Sequence, residues 1–308
     1  MPMDIDLARI GAFTSEFGDA AALHRGLSHW NHRRLAPAVP SADWTAHLNT
    51  DFRMLRLEGA FIEAFRARVA PLVAAVPSDP AGFVAWFEGL KDSGPGQGDP
   101  LFPWLAADAS LEDLRWFLTQ EAAGEAGFDD LVALTQVKLP ARPKLELARN
   151  YWDEMGRGHP GGMHGPMLDR TIQALALDPS IDATVWPSLC LANTLTAFAT
   201  TRRYVYQSIG ALGVVELTSP TRVGHVAEGL KRLGQPPEAR KYFALHAHLD
   251  VEHSHSWNAE ALVPLVEADP DCASHIAEGA LMRLICGVQC FEAYRAHLWE
   301  RREVYAAE

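Results

Sequence analysis

"KYFALHAHLDVEHSHSW", Lys241 to Trp257, packs four histidines, an aspartate and a glutamate between apolar residues. On a helix advancing 100° per residue, His246, Asp250 and His253 fall at roughly 0°, 40° and −20°, one narrow stripe able to face a single ion. His248 and His255 fall roughly 180–200° away on the same wheel, on the opposite side. The alternative is a solvated polar face, so the rest of the chain has to supply further ligands.

The bulk composition sets the frame. With 308 residues, 48% hydrophobic and 21% charged, the chain has the make-up of a globular protein with a sizeable core. A net charge of −12 argues against nucleic acid and anionic membranes as partners, because phosphate contacts require clustered Lys and Arg. The opening "MPMDIDLARIGAF" has two aspartates and no apolar run of secretory length, which predicts a cytoplasmic protein. The longest apolar region, Leu189 to Leu217, is interrupted by Arg202, Arg203, Gln207 and Glu216, so no membrane span is expected. Cys190, Cys272, Cys286 and Cys290 form no CxxC pair and read as buried reduced thiols.

Helix formers dominate, and alternating β-branched runs with Asn-Gly or Asp-Gly turns are absent, which predicts an all-α fold. An N-terminal helical arm occupies residues 1–90. The Gly-, Pro- and Asp-rich "KDSGPGQGDPLFP", Lys91 to Pro103, reads as the loop between this arm and a helical bundle over 104–308. In the bundle, Ser110 with Asp113 opens one helix, and "PKLELARNYWDEMG" forms another that ends near Gly156. A Gly/Pro turn, "RGHPGGMHGPML", leads into the next helix. A long apolar helix is expected from Ser188 to Glu216, closed by "TSP", with a separate helix from Thr221 to Leu233. The histidine helix follows, and a last one runs from Cys272 to Arg302. In such a bundle, facing side chains can build a metal site.

Further candidate ligands lie in apolar surroundings. Glu154 stands ten residues before His164, with Tyr151 and Trp152 marking a buried neighbourhood. Glu216 interrupts "GALGVVEL", where a carboxylate is costly to bury unless a cation meets it. Glu121 lies one turn past Trp116 and Phe117, with Glu112 and Glu125 as competitors nearby. Together these residues resemble the haem-oxygenase-like diiron oxidases, a family also known as iron-containing redox enzymes. Its pattern is an early-helix Glu, a Glu followed ten residues later by His, a Glu ending a long mid-chain helix, and H-x3-D-x2-H. The matching residues here are Glu121, Glu154 with His164, Glu216, then His246, Asp250 and His253. The resemblance spans Ser110 to Arg302 and leaves out the arm. It implies a haem-oxygenase-like helical bundle with an N-terminal extension, holding two Fe ions on those seven residues, with O2 as co-substrate.

Charge counting is consistent with the set. Four carboxylates and three neutral imidazoles offset two divalent ions to near neutrality, whereas without metal the carboxylates repel one another. The Lys241–Trp257 helix is therefore expected to order only when metal binds. Carboxylate and imidazole without thiolate suit iron or manganese better than structural zinc. Only Glu252 with His255 has the Glu-x-x-His spacing of ferritin-like sites, which demotes that reading. Arg202, fourteen residues before Glu216, would lie about 40° from it on a straight helix and could grip a substrate carboxylate. A salt bridge to a neighbouring helix is the competing role.

By resemblance, the expected activity is oxygenation of a small, amino-acid-derived amine, N-oxygenation first, with oxidative cleavage or desaturation as other outcomes. An external reductant and a homodimer are compatible partners. Two other readings stay open: a non-catalytic iron-binding protein, and a haem oxygenase or cofactor-free oxidase on the same scaffold.

Overall fold

The computed structural model describes residues 17–306. The opening stretch Met1 to Phe13, on which the absence of a leader was argued, lies outside the described residues. The described chain holds thirteen α-helices and no strand, only an isolated bridge between Met155 and Met163. The all-α expectation holds, with 81% of the structure helical. No described helix is long and apolar enough to cross a membrane.

The arm contributes α1 (Ala20–Leu35), α2 (Trp44–Val73) and α3 (Pro80–Ser93). Asp79 caps α3 by accepting from the Gly82 amide, and Pro80 supplies a preset φ at its start. The loop expected over Lys91–Pro103 is shorter than its composition implies. α3 runs on to Ser93, and α4 (Leu101–Ala107) begins before Pro103. α5 (Leu111–Gly124) opens on a reciprocal capping box between Ser110 and Asp113, as the spacing predicts. Then come α6 (Phe128–Thr135), α7 (Ala141–Glu154), α8 (His164–Ala174) and α9 (Trp186–Thr200).

At Thr201 the expected long helix breaks. Thr201 is extended at φ −109°, ψ 108°, and Arg202–Tyr204 form one 3-10 turn before α10 (Val205–Arg232) starts afresh. α10 then continues through Pro220, where a stop was expected. Proline cannot donate to the carbonyl four residues back, here that of Glu216, yet packing on both sides carries the helix across that gap. Glu216 is thus mid-helix, not at the helix end where the expected stop placed it. α11 (Pro237–Trp257) passes into a π-helical turn, Asn258–Leu262, then α12 (Val263–Ala268) and α13 (Cys272–Ala306).

α10 is the central element, packed against α11, α13 and α4. Its crossing with α13 is set by glycine on each helix. A Cβ on Gly210 would lie 1.8 Å from the Ile276 carbonyl oxygen, and one on Gly279 would lie 1.9 Å from that of Gln207. Only hydrogen fits there. The arm's Leu27, Trp30, Phe61 and Phe65 join one apolar cluster with Ile209, Leu212, Ile276 and Leu281. Each such buried side chain contributes about 1.5–3 kcal/mol. A buried pair, Arg66 Nε to Glu278 Oε2 at 2.9 Å, ties α2 to α13, and Gln207 Nε2 donates to the same oxygen.

Candidate metal centre

Among the described residues, two three-residue donor groups form in the core. Glu154, His164 and His246 make one; Glu216, Asp250 and His253 make the other, with the donor atoms of each group within 4.8 Å of one another. Six of the seven expected ligands are thereby brought together. The i, i+4, i+7 spacing on α11 does what the helical wheel predicts, except that His246 serves one group while Asp250 and His253 serve the other. His248 and His255 are exposed on the opposite face, as is Glu252.

The Glu-x9-His spacing is explained by a tight loop. Glu154 ends α7 and His164 starts α8, and the chain between them doubles back through the Met155–Met163 bridge. Gly156 sits at φ +59°, and a Cβ there would lie 2.4 Å from the Gly162 carbonyl carbon, so the turn needs glycine twice over. Closure places His164 Nδ1 2.7 Å from Glu154 Oε2, and the His164 and His246 rings meet edge to face at 4.6 Å. Trp152 does not mark a buried neighbourhood as expected: it is 53% exposed, because α7 turns that face to solvent.

The imidazoles are oriented by groups the sequence reading passed over. His246 Nδ1 donates to the Tyr242 carbonyl at 2.7 Å, which leaves Nε2 as its ligating atom. His253 Nε2 donates to Asp153 Oδ2 at 3.2 Å, and Arg157 holds the other oxygen of Asp153 at 2.6 Å. His253 Nδ1 is 3.4 Å from Glu216 Oε1. Neither this contact nor that of His164 Nδ1 has hydrogen-bond geometry, so both buried ring nitrogens lack a hydrogen-bond partner. Asn150 Nδ2 donates to Glu216 Oε1 at 2.6 Å, and Ser219 Oγ donates to Asp250 Oδ2 at 2.5 Å. Asn150 lies one turn before Glu154 on α7; a polar residue one turn from a buried ligand is the signal that could have found it.

Both groups open on a cavity of about 160 Å³ whose walls include Glu121, Glu125, Glu154, Glu216, His246 and Asp250. Glu121 therefore faces the same space without belonging to either donor group, and its Oε1 accepts from the Tyr294 hydroxyl at 2.7 Å. Burial raises its pKa, against the Tyr294 hydrogen bond. Glu125 also lines the cavity, while accepting from the Phe128 amide at the start of α6. Glu112 does not line it.

The electrostatics are those of a site short of positive charge. Burial, followed by the charges of Glu121 and Glu154, pushes Glu125 up to about 7. Burial, then Glu216, pushes Asp250 up to about 7, and burial raises Glu216 itself. For His253, burial favours the neutral ring, but Glu216 and then Asp153 outweigh it and raise the pKa to about 9. Burial and mutual repulsion thus work against the charged forms of these carboxylates, with His253 the offsetting group beside Glu216 and Asp250.

Arg202 is not near this site. Arg202 lies in the 3-10 turn Arg202–Tyr204 ahead of α10, so the straight-helix alignment with Glu216 fails, and Arg202 Nη1 donates to the carbonyls of Leu134 and Thr135 at 3.5 and 3.0 Å. It ties α10's leading turn to α6, though through backbone carbonyls and not through the salt bridge that was the competing expectation.

Two crystal structures of a CADD-like protein of unknown function from Nostoc punctiforme are similar in fold. One matches at 16% identity and TM-score 0.53, covering 71% of this chain and 98% of the other. The second matches at 15% and 0.52, covering 72% and 96%. No curated protein matches the chain. The family model described as iron-containing redox enzyme matches residues 115–288, the segment that carries both donor groups and Glu121. The chain belongs to the iron-containing redox enzyme family.

Proposed function

We propose that the protein is an O2-activating non-haem diiron oxygenase acting on a small amine, with N-oxygenation as its reaction. The observation that carries this reading is the pair of carboxylate–imidazole groups opening on one cavity, with the buried Nδ1 atoms of His164 and His253 left without hydrogen-bond partners. Buried ring nitrogens without hydrogen-bond partners beside buried carboxylates are what a divalent cation satisfies. In this reading Glu154, His164 and His246 hold one iron, Glu216, Asp250 and His253 hold the other, and Glu121 supplies a further carboxylate. When bound, the irons supply the redox chemistry that activates O2, with electrons from an external reductant.

The protein's own residues position and exclude. The Tyr242 carbonyl and the Asp153 carboxylate orient the rings of His246 and His253 by accepting from one nitrogen of each, which leaves the other nitrogen for a bound ion, whose arrival would displace any proton there. Asn150 and Ser219 hold one oxygen each of Glu216 and Asp250 by donating to it. Leu118, Ala122, Phe128, Val215 and Val223 make the remaining wall apolar, which keeps water from the reacting amine.

The test is anaerobic Fe(II) loading followed by mixing with O2 and candidate amines. The reading expects two irons per chain, fewer in Glu216→Ala and Asp250→Ala, and amine oxidation coupled to O2 uptake. Full iron occupancy in both variants, a bound porphyrin, or iron uptake without O2-dependent turnover would overturn it.

A further inference from the structure

Beside the donor-lined cavity lies a second one of about 110 Å³. Glu121, Glu125, Phe128 and Val215 stand in the walls of both. A buried water needs about 10–15 Å³ of such space, so each cavity holds more than a lone solvent molecule.

The second cavity is lined by Arg283 from α13. Its Nε and Nη1 atoms are buried and have no hydrogen-bond partner. Gly287, one turn further along α13, leaves room for the guanidinium, since a Cβ there would lie 3.1 Å from Nη1. Neighbouring cations are accounted for differently. Arg222 Nε donates to the Thr218 carbonyl at 3.0 Å and the guanidinium stands over the Phe291 ring at 5.4 Å, while Arg295 pairs with Asp99. Glu121, an acid close enough to act on Arg283, bonds Tyr294 instead. Burial works against the charged form of Arg283, yet a guanidinium does not deprotonate in proteins. A buried cation with idle donors is destabilising until an anion meets it.

We propose that Arg283 anchors the carboxylate of a small amino acid whose amine end lies in the adjacent donor-lined cavity; the placement of the amine end rests on the oxygenase reading above. A planar monoanion matches the guanidinium fork. Phosphate or sulfate fits less well, because Glu121 and Glu125 in the shared wall repel a doubly charged group. Arg283 thus takes the role that the sequence suggested for Arg202, from a different helix.

The experiment is calorimetric binding to iron-loaded, anaerobic protein of straight-chain ω-amino acids of increasing length, each paired with its own carboxamide. At one length or more, the carboxylate should bind at least about tenfold tighter than the amide, as for a hydrogen bond to a charged group. Arg283→Gln should abolish that preference, and Arg283→Lys should restore part of it. Iron content and thermal midpoint are measured on the same samples, so a variant that fails to fold is recognised, and the wild-type comparison then decides. No preference at any length, or the same preference in Arg283→Gln, overturns the proposal. Two irons without carboxylate preference would break this inference alone. Carboxylate preference without iron would support it while breaking the oxygenase reading.

Discussion

Asp153 binds no metal in this reading, yet its removal should weaken the site. His253 reaches the second donor group only while its ring is held with Nε2 toward Asp153 and Nδ1 toward Glu216, at 3.2 and 3.4 Å. In Asp153→Ala the Nε2–H loses its acceptor, the ring is free to turn, and the tautomer with an open Nδ1 is no longer favoured. Losing such an orienting carboxylate costs 10- to 100-fold in metal affinity, or about 1.4–2.7 kcal/mol. Arg157, the other partner of Asp153, is 69% exposed and returns to solvent, so little folding stability is expected to go with that pair. The assay is chelator-competition titration with Fe(II) under nitrogen, alongside urea unfolding of the metal-free protein. Affinity for one of the two irons should fall while the unfolding midpoint stays close to wild type. Unchanged affinity at both sites would refute the orienting role. Asp153→Asn, which retains an acceptor oxygen, should recover part of the loss.

Gly279→Ala sets a helix-propensity gain of about 1 kcal/mol against overpacking of about 3 kcal/mol, the upper end of its usual range, because the obstructing atom is backbone. Urea denaturation should show a net loss of about 2 kcal/mol, and an unchanged midpoint would show that the α10–α13 crossing can open. Glu58 tests the arm: burial, against the attraction of Arg34, raises its pKa from 4.5 to about 7. A carboxyl whose folded pKa is raised stabilises below its unfolded value, and that contribution is lost as pH climbs through the folded one. Wild type should therefore lose up to about 3 kcal/mol relative to Glu58→Gln between about pH 4.5 and about pH 7.5, and a constant difference in unfolding free energy would contradict this. Hydrogen exchange across Lys241–Trp257 should slow when Fe(II) is added, since the metal removes repulsion among the carboxylates facing that helix; identical protection with and without metal would count against the charge argument.

The ligand stripe was legible because helical period is a local property: His246, Asp250 and His253 needed only the 100° rule to share a face. Glu154 and His164 were legible as a pair, though their convergence depends on a Gly156–Gly162 contact that spacing alone does not reveal. Arg202 misled because its alignment with Glu216 assumed one α-helix from Arg202 onward, and the 3-10 turn Arg202–Tyr204 is not signalled by any proline or glycine. Conversely, Pro220 looked like a stop but is carried through a well-packed central helix, where tertiary contacts override a single missing hydrogen bond. Asp153, Asn150, Ser219 and Arg283 act across helices, from positions whose partners are far away in the chain. No periodicity in one segment encodes such contacts.

Diffraction from crystals grown anaerobically with Fe(II), recorded above and below the iron absorption edge, would locate the metal by its anomalous signal. Two peaks are expected, one bounded by Glu154, His164 and His246 and the other by Glu216, Asp250 and His253. A single peak away from these residues, or none at full iron loading, would contradict the dinuclear site.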